Sequence, residues 1–378
     1  MVCKLDTVHE NETGFGDLLA SGLLNEHHEL KPVSVSFRRD EIMSIAAFDI
    51  GGTALKMGIV TAQGELLRRD KAVIKNSDGE AILSQMLSWV AAHPGIEGIA
   101  VSAPGYVNPH TGFIDMGGAI RRFDQFAMKA WLEAQTGLPV SVENDANCVL
   151  LAERWQGKGR DIDNFLVLTI GTGVGGAIFC NGRLVHGARF RAGEFGYMLT
   201  ERADSRRVAR HSMNENCTLR TLRKRYADFN GLALDDVTGE AIFDGYDAGD
   251  AACRRLVDDF LNGIATGLYN LANVFDPQTI FIGGGIAERP GFMALLRTHL
   301  TWFGIADIAD VVSHGNRAGL IGAVHPFQTA VSVSNPQHRM RERVCQDLNQ
   351  VFCGAARLPH ISWKVAGKRG AKGLALPM

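Results

Sequence analysis

The stretch "AAFDIGGTALKMGIV", residues 46–60, decides the fold. It runs apolar, then Asp49, then Gly51-Gly52-Thr53, then apolar again. Two β-rich runs on either side of so short a break predict a pair of adjacent strands. Glycines at such a junction let successive backbone N–H groups turn toward one point and admit a close anion, the geometry of a phosphate nest. Thr53 adds a hydroxyl donor, and Lys56 is either a further phosphate-side group or a solvated strand lysine. A plain β-bulge would explain the glycines but not Asp49, because an unpaired carboxylate inside a strand is costly. A carboxylate beside a phosphate nest makes chemical sense when a Mg²⁺ ion, held through water, bridges the two.

The same order of elements returns in "LVLTIGTGVGGAIFCNGRLV", residues 166–185, with Asn181-Gly182 as the hairpin turn. Its loop supplies Gly171, Thr172 and Gly173. Neither loop leads from a strand into a helix, the context that the GxGxxG fingerprint and the P-loop both require. Two phosphate loops, one in each half of the chain, fit a nucleotide held in a cleft between two similar lobes. A third run, "FIGGG", places Gly283, Gly284 and Gly285 after a β-rich segment and before a helix, a junction that suits the flat face of an adenosine. Helical periodicity at 80–92, 125–136, 145–156, 251–274 and 290–303 separates the β-rich runs, so the fold class is α/β.

"VENDANCVLLAE", residues 142–153, ends a strand in Glu143-Asn144-Asp145 and continues as an apolar helix. Asn or Asp at that point can simply cap the helix. In a chain that carries two phosphate loops, a second reading gains weight. Phosphoryl transfer to an alcohol needs one carboxylate beside the acceptor oxygen, to orient the hydroxyl and take its proton. Asp145 can do that while Asn144 binds a neighbouring hydroxyl.

Composition bounds the rest. The 378 residues exceed one compact core, and a formal charge of −2 carries no nucleic-acid or membrane signature. No run approaches a membrane span, and the N-terminus has no apolar leader segment. Seven scattered cysteines without a CxxC pair argue against a disulfide framework and for a reduced, cytoplasmic protein. Residues 1–42 are polar and acidic and read as a flexible extension, with the compact fold starting at Met43. Residues 329–378 are basic and read as a disordered tail, whose alternative role would be binding an anionic partner.

"FDIGGT", "SAPGYVN", "ENDAN", "TIGTGVGG", "AGEFG" and "FIGGG" occur in the order and spacing of the ROK family of sugar kinases and repressors, which the chain resembles over about 45–328. The resemblance implies the two-lobed actin/hexokinase-like (ribonuclease H-like) ATPase fold. One lobe would be 43–142, completed by about 316–328, and the other 143–315. It implies ATP with Mg²⁺ as donor and a sugar hydroxyl as acceptor, with Asp145 as catalytic base. Asn144 and Glu194 would bind sugar hydroxyls, Gly105 would shape the sugar pocket, and homodimers are common in the family. Asp49, Gly51, Gly52 and Thr53 become the first phosphate loop.

Two departures from the family pattern bear on the substrate. Where ROK members commonly carry "GEIGH" and a CxCGxxGCxE zinc knuckle, this chain reads "GEFGYM", with Tyr197 in place of the histidine. The following stretch offers only His211 and Cys217, two ligands short of a structural zinc. Glu215 is the candidate for the sugar-binding glutamate that ends the knuckle. Tyr197 is either a packed core aromatic or an aromatic face on which a second ring stacks. The second option matches the zinc-lacking β-glucoside kinases, whose opening motif resembles "AAFDIGGTALKMG". It implies phosphorylation of the 6-OH of a glucosyl unit whose C1 is already substituted, as in cellobiose. Arg121 and Arg122, in "GGAIRRFDQF", face acceptor or solvent. Glucokinase and N-acetylmannosamine kinase are the alternatives within kinases. A DNA-binding repressor is the alternative of another class, but residues 1–42 are too few and too acidic for its helix-turn-helix domain.

Overall fold

The computed structural model describes residues 43–202 and 207–334. The N-terminal extension and most of the basic tail lie outside the described residues. The strands are β1 (Ser44–Ile50), β2 (Ala54–Thr61), β3 (Leu66–Val73), β4 (Gly98–Ala103), β5 (Tyr106–Asn108), β6 (Phe113–Met116), β7 (Phe126–Ala127), β8 (Val140–Asn144), β9 (Phe165–Ile170), β10 (Val174–Cys180), β11 (Arg183–Leu184), β12 (Thr279–Gly283) and β13 (Ala309–Val311). The helices are α1 (Gly79–Ala91), α2 (Met128–Thr136), α3 (Asp145–Gln156), α4 (Met213–Asn216), α5 (Leu219–Asn230), α6 (Gly239–Ala248), α7 (Ala251–Phe275), α8 (Phe292–Trp302) and α9 (Ala318–Ser334).

The echo between the two glycine-interrupted hairpins is structural. One sheet has the order β3-β2-β1-β4-β8 and the other β11-β10-β9-β12-β13. In each, the first three strands form an antiparallel meander and the last two join in parallel. A small antiparallel sheet, β5-β6-β7, follows β4. The buried strands are rich in Ile, Val, Leu and Phe because both faces are covered. α1 and α2 close a core over the first sheet around Phe48, Met86 and Phe123. α5 to α8 close a larger one over the second sheet around Phe243, Phe260 and Phe292.

α3 and α9 fill the space between the sheets. Cys148 of α3 packs with Ile45 and Ala47 of β1 and with Leu320 and Val324 of α9. Ala146 and Leu150 of the same helix face Phe165 and Phe281 of the second sheet. The helix that begins with Asp145 is therefore a strut shared by both cores. α9 carries Gly319, Gly322 and an internal Pro326 in a largely apolar sequence, so it shows no 3.6-residue polar periodicity, and helical patterning alone passes over it. No helix among the described residues is long and apolar enough to cross a membrane.

Candidate active site

Asp49 sits one residue before the end of β1, 8% exposed, and both of its oxygens are engaged. The β1–β2 register sets it opposite Lys56, whose ammonium donates to Asp49 Oδ2 at 2.8 Å. The β1–β4 register sets it opposite Ser102, whose hydroxyl donates to Oδ1 at 2.8 Å. The first turn of α9 closes over the carboxylate. A Cβ on Gly319 would lie 2.5 Å from it, so only glycine lets that helix start approach so near. A helix N-terminus favours a negative charge at this point. Lys56 is thus held on Asp49 in the structure.

Asn144 caps α3, its Oδ1 accepting the N–H groups of Ala146 at 3.0 Å and Asn147 at 3.1 Å. Its Nδ2 donates to the Gly105 carbonyl at 3.0 Å. The capping role is therefore real, and one N–H of the amide remains to meet a ligand. Gly105 has φ +91°, and a Cβ there would lie 1.8 Å from the Met116 carbonyl oxygen. Asp145 opens the helix and accepts the Ala146 N–H through Oδ1 at 2.8 Å. Burial, and after it the nearby Asp49 charge, raises its carboxyl to about 6. Such a group is ionised at neutral pH yet more basic than an ordinary carboxylate, which suits a general base.

Facing Asp145 is the chain after β11. Glu194 is raised to about 7 by burial and by the Asp145 charge, an effect that Arg191 opposes. The Arg191 guanidinium lies over the Tyr106 ring, 4.3 Å from its centroid, and donates to the Tyr106 hydroxyl at 3.0 Å. Tyr106 is pushed up to about 12 by burial and by a hydrogen bond with Tyr197. Tyr197 itself is 53% exposed, so the packed-core alternative for it does not hold. Glu143, buried at the end of β8, receives the Asn144 N–H, the Asn147 side-chain amide and His186 Nε2, each within 2.9 Å. That last contact ties the chain after β11 to the start of α3. Tyr106, Arg191 and His186 join the surroundings of Glu194 and Glu143, and sequence reasoning missed them. Their only sequence signal was the Tyr of "SAPGYVN" and the basic, aromatic run "HGARFRAGE".

The glycine loops face one another. Gly52 and Thr53, like Thr172 and Gly173, are exposed, and a Cβ on Gly52 would lie 3.4 Å from Thr172 Oγ1. Asn214 of α4 braces the second loop by accepting the Val174 N–H at 2.8 Å. Gly284 packs directly on the end of β9 beside Ile170. A cavity of about 420 Å³ begins at Gly284 and is lined by Glu288, Ser313, His314, Asn316 and Arg317.

Glu215 is exposed on α4, the helix that packs against Phe195–Tyr197, and no hydrogen bond or ion pair among the described residues joins it to Asp145. Arg121 pairs with Asp124 and Arg122 with Glu80, on the outside of the first sheet's core. His211 pairs with Glu201 at 3.3 Å, whereas Cys217 is fully buried in the core of the second sheet. Among the described residues no group of three or more His, Cys, Asp or Glu side chains could hold a metal ion directly.

These residues fit a magnesium–triphosphate group. Two exposed glycine turns with threonine hydroxyls face each other, and Asp49 supplies a buried anionic centre at the root of one of them. The cavity at Gly284 is large enough for a nucleoside.

Comparison with known proteins agrees. The ROK family model matches residues 45–330. A Klebsiella pneumoniae protein named beta-glucoside kinase is 70% identical over 285 residues, covering 75% of this chain and 96% of that one. A Listeria monocytogenes protein of the same name is 58% identical over 286 residues, covering 75% of this chain and 97% of that one. Among solved structures, the Lmo2764 protein of Listeria monocytogenes, described as a candidate N-acetylmannosamine kinase, is 58% identical with a TM-score of 0.73. That match covers 76% of this chain and 99% of the solved one. The architecture is the actin/hexokinase-like fold, and the chain belongs to the ROK family.

Proposed function

We propose that this chain is an ATP-dependent sugar kinase that phosphorylates the 6-OH of the non-reducing glucosyl unit of β-glucosides such as cellobiose. The observation that carries the reading is Asp145 at the head of α3, raised to about 6 between Asp49 and Glu194, where the rims of both sheets meet. Residues 43–142 with 316–328 form one lobe in this reading and 143–315 the other, closing on the substrates and excluding water. The enzyme is cytoplasmic, and a homodimer is the proposed assembly.

ATP with Mg²⁺ would supply the transferable phosphoryl group and neutralise its charge. The chain's own groups set the reaction up. The exposed turns at 52–53 and 172–173 would hold the phosphates through their backbone N–H groups, with Thr53 and Thr172 as hydroxyl donors. Asn144 and Glu194 bind hydroxyls of the sugar. Asp145 accepts a hydrogen bond from the 6-OH and takes its proton as the new oxygen–phosphorus bond forms. The bond between the γ-phosphorus and the β–γ bridging oxygen breaks, and that oxygen leaves on ADP. A glucosyl 6-phosphate and a proton, later released from Asp145, complete the balance.

The N-acetylmannosamine description of the Lmo2764 protein favours a second reading, with a free 2-acetamido sugar as acceptor. Measuring kcat/KM for cellobiose, gentiobiose, salicin, glucose and N-acetylmannosamine separates the two. A glucoside preference of about ten-fold or more, about 1.4 kcal/mol of transition-state discrimination, supports the first reading. A preference for a free monosaccharide leaves the kinase and discards the substituted acceptor. No turnover on any of them discards the kinase.

A further inference from the structure

The acceptor side holds more than proton transfer at Asp145 requires. Arg191 is exposed, yet its guanidinium lies flat on the buried ring of Tyr106 and spends one N–H on the Tyr106 hydroxyl. Four of its five N–H groups remain. The segment that carries it is anchored at both ends. His186 is bound to Glu143 at 2.8 Å, and its carbonyl receives the Ala192 N–H at 3.1 Å. Gly193 packs so tightly on Gly176 that a Cβ there would lie 2.4 Å from the Gly176 carbonyl oxygen. The Phe190 ring, between those anchors, lies edge-on to His186 and to His110. The guanidinium is therefore presented in one place instead of sweeping through solvent, which lowers the ordering cost of a hydrogen bond to it. The exposed ring of Tyr197 shares the same tyrosine partner.

The order of these groups gives a direction. Glu194 feels the Asp145 charge, Arg191 acts on Glu194, and Arg191 and Tyr197 both contact Tyr106. A sugar ring whose hydroxyl reaches Asp145 and whose body lies against Glu194 leaves its neighbour at Arg191 and Tyr197. We propose that Arg191 and Tyr197 form a second acceptor subsite, in which Tyr197 stacks on the group joined to the phosphorylated ring and Arg191 donates to that group's hydroxyl oxygens. This inference rests on the kinase reading and deepens it. The chemistry favours a neutral, hydroxylated or aromatic ring and disfavours a cationic group, which the guanidinium repels.

The test compares kcat/KM for cellobiose, phenyl β-glucoside and glucose in the parent, Tyr197→Ala, Arg191→Leu and Arg191→Lys. Tyr197→Ala is expected to lower the cellobiose-to-glucose and phenyl-glucoside-to-glucose ratios alike, each by about ten-fold. Arg191→Leu is expected to lower the cellobiose-to-glucose ratio by about ten-fold and the phenyl ratio by less than about three-fold, because a phenyl group offers no hydroxyl. Arg191→Lys keeps the charge and the fold but not the flat fork, and should lose part of the cellobiose ratio. Unchanged ratios, or a parallel fall on all three sugars, would overturn the subsite while the kinase stands. Absence of turnover by the parent on every sugar would contradict the kinase reading and the subsite with it.

Discussion

In the register of the first sheet Asp49 lies opposite Ser102 and Ser102 opposite Glu143, so Asp49 and Asp145 meet at one edge where the sheet hands over to α3. Burial raises the Asp145 carboxyl and the Asp49 charge raises it further, to about 6. A base needs that carboxyl deprotonated. With a β-glucoside acceptor, kcat/KM is expected to fall below about pH 6, approaching ten-fold per pH unit. A profile from pH 4.5 to 8.5 checks this, and a limb near 4, the ordinary carboxylate range, would show that Asp145 is not the titrating group.

Removing the charge separates chemistry from stability. Asp145→Asn keeps the side chain's shape and is expected to lower kcat by about 10²- to 10⁴-fold, the range for losing a general base. The folded protein holds the Asp145 proton more tightly than the unfolded chain, because its value of about 6 lies above the ordinary carboxylate range. Ionisation therefore weakens the fold as pH rises from about 4 to about 6. The variant escapes that loss, so its melting temperature should exceed the parent's by more at pH 7 than at pH 4. Paired thermal melts at the two values test the sign.

Gly105 stands where no side chain fits. Its φ of +91° and the Met116 carbonyl both exclude a Cβ. Gly105→Ala should destabilise the protein by about 2 kcal/mol or more and loosen the carbonyl that holds Asn144. Urea unfolding gives the first effect. A rise in sugar KM in the surviving folded enzyme gives the second.

Glu153 ties α3 to the rim of the cavity that begins at Gly284. It is fully buried and accepts the Ser313 hydroxyl at 2.7 Å, the Ser313 N–H, and the Lys158 N–H at 3.2 Å. Ser313 lines the cavity that begins at Gly284. Glu153→Leu strands those donors and should cost about 2–4 kcal/mol. Glu153→Gln keeps an acceptor oxygen and should cost less. In both, the KM for ATP is expected to rise more than the KM for sugar, as steady-state kinetics on the folded fractions will show.

Local chemistry made much of this legible before the fold was seen. Asp49 between two apolar runs marks a site because a strand interior does not tolerate an idle carboxylate. The repeated hairpin order at 166–185 becomes a repeated sheet order. The Lys56–Asp49 pair was passed over, since Lys56 reads as a phosphate-side or solvated lysine; the register that sets Ile50 opposite Leu55 brings the two together. What stayed hidden depends on chain crossings. Arg191 and Tyr106 are 85 residues apart in sequence, and His186 and Glu143 are 43 apart. No local pattern announces such pairs. α9 escaped because its first turns, buried from Ala318 to Val324, lose the amphipathic period that marks a helix at the surface.

The central claim concerns which oxygen receives phosphate. Incubation with ATP, Mg²⁺ and cellobiose, followed by phosphorus–proton correlation NMR of the product, locates it directly. The account predicts a phosphomonoester coupled to the two C6 protons of the non-reducing glucosyl unit. Phosphate on any other position, or no transfer to the disaccharide, would contradict it.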